Sequence, residues 1–126
     1  MEKYPALSSN DKVIMELVWK EGEASTAAIL EKLEGVENWT RHTVKTYLLR
    51  LEDKGLLKKV QLSPRKIIFY PTISKDEYMA GDASRYLNSH FNGIKHMVAS
   101  FVDNDMITDE ELDELEDYIR NLKESR

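Results

Sequence analysis

Apolar residues in this chain recur at helical spacing nearly throughout and switch to a strand-like rhythm once, between residues 56 and 70. Val13, Ile14, Leu17 and Val18 return at intervals of three and four, with Trp19 beside them, and predict an amphipathic helix. Ser8-Ser9-Asn10-Asp11 is a capping-box start with an acid at N3, and Leu7 is placed as its hydrophobic staple. Gly22 closes that helix. Ser25 caps a second, short helix carrying Ala28, Ile29 and Leu33, and Gly35 ends it. Val36 to Trp39 form a turn, Thr40 caps a third helix, and Gly55 sits at its C′ position.

The rhythm then changes. Leu56 to Leu62 reads as a strand, Ser63-Pro64-Arg65 as a turn, and Lys66 to Tyr70 as the return strand. Pro71, which has no N–H to donate, stops it. Three helices followed by a hairpin is the winged helix-turn-helix order, expected over residues 1–72.

A boundary is expected near Thr72. Ser74-Lys75-Asp76-Glu77 caps a fourth helix with Met79, Ala83, Tyr86, Leu87 and Phe91 on its face, ended by Asn92-Gly93. Ile94, Met97, Val98, Phe101 and Val102 mark a fifth helix, broken by Asp103-Asn104-Asp105. Thr108-Asp109-Glu110-Glu111 caps a sixth, in which Leu112, Leu115, Ile119 and Leu122 are spaced by three and four. The expected fold class is mainly α with a small β-hairpin: a winged helix-turn-helix domain, then a three-helix region at 73–126. Three short helices lack the thickness to bury these stripes alone. Pairing two copies through Tyr86, Leu87, Phe91, Met97, Phe101, Leu112, Leu115, Ile119 and Leu122 would bury them. Folding back onto the N-terminal module is the alternative.

Charge sharpens this picture. The chain carries a net −5, yet residues 41–72 hold eight Lys/Arg against two acids, a local +6. Residues 1–40 carry −4 and residues 73–126 carry −7. Local potential decides where a polyanion docks. The bland reading is a merely solvated basic face. On the third helix, placed at 100° per residue, Val44, Tyr47, Leu48 and Leu51 fall on one side. His42, Lys45, Thr46 and Arg50 fall on the other, which suits a DNA-recognition helix.

An arginine can bridge guanine O6 and N7, and Arg50 or Lys45 can instead bind phosphate. Thr43 and Thr46 can hydrogen-bond phosphate or offer a methyl to thymine. Thr40 stands at the helix N-terminus, where a phosphate is favoured and where a plain N-cap is equally expected. Arg41 is placed for backbone phosphate. Arg65 and Lys66 occupy the wing tip, as phosphate contacts or as ordinary surface. Tyr47 is expected in the core rather than on DNA, and Trp39 as a packing anchor for the turn. Leu49 falls on the outer side with no packing partner, free to touch a thymine methyl or a sugar.

Enzyme chemistry finds no footing. Cysteine is absent, which excludes disulfides and thiolate chemistry. His42, His90 and His96 show no metal-ligand spacing, and no phosphate loop or nucleophile elbow is present. The acids between Asp109 and Asp117 lack the EF-hand order and suit a helix N-terminus. No cofactor or metal is expected. No apolar run reaches the length of a membrane span, and Met1-Glu2-Lys3-Tyr4-Pro5 lacks the apolar core of a signal peptide, so a soluble cytoplasmic protein without membrane insertion is expected.

These residues together resemble the penicillinase-repressor (BlaI/MecI/CopY) family of bacterial transcription regulators. The strongest block is Thr43-Val44-Lys45-Thr46-Tyr47-Leu48-Leu49-Arg50-Leu51, with Lys54-Gly55-Leu56-Leu57 after it. Val13-Ile14-Met15, Leu17-Val18-Trp19, Phe69-Tyr70-Pro71, Asp76-Glu77-Tyr78 and Phe91-Asn92-Gly93 support it. The resemblance runs from Leu7 to about Leu122. It implies a homodimeric repressor on a palindromic double-stranded DNA operator, with dimerisation through the C-terminal helices. In the penicillinase branch a membrane sensor protease triggers a cut before a Phe in helix five. The matching bond here is Ser100–Phe101, with Ser where Asn is usual. Lys12 stands where Trp is frequent, and the copper branch's cysteine cluster is missing. The rival from another class is a winged-helix protein-interaction adaptor, which would show an apolar rather than a basic outer face on the third helix.

Overall fold

The computed structural model describes residues 4–126; Met1 to Lys3, where the signal-peptide reading begins, lie outside the described residues. The element order is α1 (Ser9–Glu21), α2 (Thr26–Lys32), α3 (Arg41–Asp53), β1 (Leu57–Ser63), β2 (Lys66–Pro71), α4 (Lys75–His90), α5 (Ile94–Asp103) and α6 (Asp109–Glu124). No described helix is long and apolar enough to cross a membrane.

Local chemistry sets the boundaries. The Asp11 N–H donates to Ser8 Oγ at 3.1 Å and the Ser8 N–H to Asp11 Oδ2 at 3.3 Å, the reciprocal pair of a capping box. Thr108 and Glu111 form the same box at the head of α6. Gly22 ends α1 at φ 83°, a left-handed conformation that a side chain would strain. α2 stops at Lys32, before the expected Gly35, because the chain turns over Leu33 to Val36. In α1 the buried set is Asp11, Ile14, Met15 and Val18, and the expected Val13 and Leu17 are only half-buried at its flank.

The hairpin is antiparallel, pairing Leu57 with Pro71 and Val60 with Ile68, with a bulge between Gln61 and Ser63. A third segment joins its edge: the Ala24 N–H donates to Phe69 O at 2.9 Å, and the Phe69 N–H returns to Ala24 O at 2.8 Å. This ties the α1–α2 connection to the wing.

Contacts divide the chain into a unit ending at Ala83 and a second from Ser84 to Arg126. The first has a true core. Ile14, Met15, Val18, Val44, Leu48, Leu51 and Leu56 are fully buried, with Ile29, Leu33, Leu57 and Phe69 around them. The start of α4 belongs to it. The Trp19 indole N–H donates to Ile73 O at 2.9 Å, the Trp19 and Tyr78 rings lie 5.7 Å apart, and Lys75 Nζ reaches Glu16 Oε2 at 2.9 Å. The second unit holds the end of α4, α5 and α6, and none of its residues is buried.

Candidate nucleic-acid interface

α3 carries the expected site. Thr40 Oγ1 accepts from the Thr43 N–H at 3.2 Å, and the two hydroxyls lie 3.0 Å apart. Thr40 is therefore the N-cap, and only one of the two hydroxyl protons is used between them. Val44, Leu48 and Leu51 bury the inner face. Arg41, His42, Lys45, Thr46 and Arg50 are exposed, and Thr43 is half-buried. The Thr46 hydroxyl donates to His42 O at 2.9 Å, so outward it offers its methyl and lone pairs but no proton. Leu49 is half-buried against the core, which gives it the packing partner that its helical angle alone does not suggest.

Two of the eight cations of residues 41–72 serve the protein itself. Lys54 Nζ meets Asp11 Oδ2 at 2.7 Å, with Asp11 fully buried and Lys54 largely so. Burial pushes the Asp11 carboxyl upward. The hydrogen bond from Lys54, the bonds with Ser8 and the Lys54 charge outweigh it, and the carboxyl sits below the usual aspartate range. The pair pins the start of α1 to the end of α3. Lys59 Nζ lies 3.9 Å from Glu52 Oε1, a long contact between an exposed lysine and a half-buried glutamate, of little energetic weight. The remaining six, Arg41, Lys45, Arg50, Lys58, Arg65 and Lys66, are exposed and make no ion pair among the described residues. Arg65 lies in the turn at the wing tip, and Lys66 pairs across it with Ser63.

A network that periodicity shows only in part surrounds Tyr47. Its hydroxyl accepts from Asn10 Nδ2 at 2.7 Å, its ring lies 5.1 Å from that of Trp39, and the Arg50 guanidinium carbon stands 5.3 Å from its centroid. Arg50 follows Tyr47 at i+3, a spacing that lets side chains at the border of the two faces meet, which sequence could have flagged. Asn10 comes from another helix, and no spacing rule links it to Tyr47.

In the second unit, the expected apolar set is solvent-facing or half-covered. Tyr86, Leu115, Ile119 and Leu122 are exposed, while Leu87, Phe91, Met97, Phe101 and Leu112 are half-buried. Ser100 and Phe101 lie within α5 and are half-buried. Ser100 O accepts from the Asn104 N–H at 3.1 Å and from Asn104 Nδ2 at 2.8 Å. Among the described residues no group of three or more His, Asp or Glu is arranged to hold a metal ion.

Comparison with known proteins agrees with this geometry. The chain is 30% identical over 124 residues to the penicillinase repressor of Bacillus licheniformis, covering 98% of this chain and 96% of that one. It is 23% identical over 115 residues to the methicillin resistance regulatory protein MecI of Staphylococcus aureus, covering 90% and 92%. The solution structure of the DNA-binding domain of the repressor BlaI superposes with a TM-score of 0.53 at 29% identity, covering 62% of this chain and 94% of that one. The structure of monomeric Bacillus licheniformis BlaI in complex with the blaP half-operator gives a TM-score of 0.51 at the same identity and coverage. The family model for the penicillinase repressor matches residues 7–121, and the chain belongs to that family.

Proposed function

We propose that this protein is a cytoplasmic transcriptional repressor that occupies a palindromic operator as a homodimer. The observation that carries this is the six exposed cations on α3 and the hairpin that make no ion pair among the described residues, in an otherwise acidic chain. α3 enters the major groove. Arg50 and Lys45 reach base edges or phosphates, with His42, Thr43 and the Thr46 methyl beside them. Thr40 and Arg41 sit on the backbone at the helix N-terminus, and Arg65 and Lys66 reach phosphates from the wing. The outer face of α3 offers charge rather than an apolar patch, which favours DNA over a protein partner.

Dimerisation falls to the second unit. Its helices are amphipathic, none of its residues is buried, and a second copy would cover Tyr86, Leu87, Phe91, Met97, Phe101, Leu112, Leu115, Ile119 and Leu122. Induction by a membrane sensor protease, directly or through an effector, would act at Ser100–Phe101. The carbonyl of that bond is held twice by Asn104, so α5 must open before the bond is cut.

The test is selection of duplexes from a random pool by the purified protein. The expected product is two inverted half-sites with centres about one helical turn, roughly 34 Å, apart. Enrichment of a single unrepeated site contradicts the dimer, and no enrichment contradicts the function.

A further inference from the structure

We infer that Tyr47 is a positioning residue for sequence choice, holding the Arg50 guanidinium where it can read a base edge. This rests on the DNA-binding reading above. Packing alone does not require a tyrosine here, because an aliphatic side chain would serve the half-buried position between Val44 and Leu51. The ring face and the hydroxyl are surplus to that need, and both are in use. The hydroxyl accepts from Asn10 Nδ2 at 2.7 Å and the ring leans on Trp39 at 5.1 Å, so three elements fix the ring: α1, the turn before α3, and α3 itself. Arg50 then rests over a fixed platform, 5.3 Å from its centroid.

An arginine has many rotamers, and each one lost on docking weakens binding. A guanidinium already held over an aromatic face loses fewer, and its planar fork stays available for a bidentate contact. The ring thus supports base readout without touching DNA. It adds no charge, so it leaves the phosphate contribution alone.

The experiment measures affinity for the duplex that the wild-type protein selects and for a shuffled duplex of equal length, and takes the ratio. Tyr47→Leu should lower that ratio by about two- to fivefold, the scale of an exposed cation–π contact. The salt dependence should not change, because the number of cations is the same. Tyr47→Phe keeps the ring and should stay within twofold of wild type. In an Arg50→Lys background, which keeps the charge and loses the fork, Tyr47→Leu should have no further effect on the ratio. Equal weakening on both duplexes overturns the inference, as does an undiminished effect beside Arg50→Lys. Should Tyr47→Leu melt early, Tyr47→Met is read by the same criteria. A wild-type protein that selects no duplex sinks the DNA-binding reading before any variant is made, and this inference with it.

Discussion

The two units of this chain are built from equally regular amphipathic helices and differ in where the apolar faces go. In the first, α1, α2, α3 and the hairpin bury their stripes against one another, with Ile14, Val44, Leu48 and Leu51 fully out of water. In the second, Ile94, Met106, Tyr118, Ile119 and Leu122 stay exposed. Helical periodicity is therefore the same signal for two different fates. A stripe states that a face wants covering. Only the number of neighbouring layers decides whether the same chain can cover it.

Charge separates the units as well. The first displays its cations outward from α3 and the wing, and the second carries ten acids against five Lys/Arg. DNA binding and self-association should thus be separable by mutation. Leu115→Asp with Ile119→Asp should break the pairing of two copies. Affinity for a full palindrome should fall by about 10²–10⁴-fold as bivalency is lost, while affinity for a half-site and the melting of the first unit stay as they were. Sedimentation with paired gel shifts reads both, and a doubly substituted protein that still sediments as a dimer removes the second unit from its assigned role.

The first unit breaks at Lys54. Lys54→Met leaves the fully buried Asp11 carboxylate unpaired, which costs roughly 3–5 kcal/mol in unfolding experiments near neutral pH. The Asp11 carboxyl sits below its usual value of 3.8 in the fold. Its contribution is therefore complete above that value and is lost as pH falls through the lower folded value. The stability gap between wild type and Asp11→Asn should accordingly shrink below about pH 4, the ordinary aspartate range. A gap that widens on acidification would mean that the pair does not hold α1 to α3.

Smaller effects sharpen the interface. Arg50→Ala should cost about 1–3 kcal/mol on the selected operator and much less on shuffled DNA. Equal losses on both would reduce Arg50 to a phosphate clamp. Thr40→Ala should lower stability by about 1 kcal/mol through the lost cap, with Thr40→Ser close to wild type. Affinity measured well below the melting temperature then shows whether Thr40 also meets phosphate.

The element order, the caps at Ser8, Thr40 and Thr108 and the outward set on α3 were legible in the sequence because each follows from local spacing or hydrogen-bond chemistry. What was not legible has one cause in common: side chains that serve a distant partner. Asp11 lies in the buried stripe of α1, and a charge at that position hides the stripe's phase, so Val13 and Leu17 stand out in place of Met15. Lys54 reads as one more cation of the basic run until Asp11, which comes from another helix, is seen beneath it. Leu49 reads as surface on a helical wheel because a wheel shows one helix and not its neighbours. The hydrogen bond from Asn10 to Tyr47 joins α1 to α3, and periodicity within either helix is blind to it.

The most direct test of the account is the salt dependence of operator affinity for the intact protein. If the exposed cations of α3 and the wing grip six to ten phosphates across the dimer, affinity should fall by about 10³–10⁵-fold between 50 and 200 mM salt, on a straight log–log line. A flat line over that range would mean that those cations do not meet a polyanion.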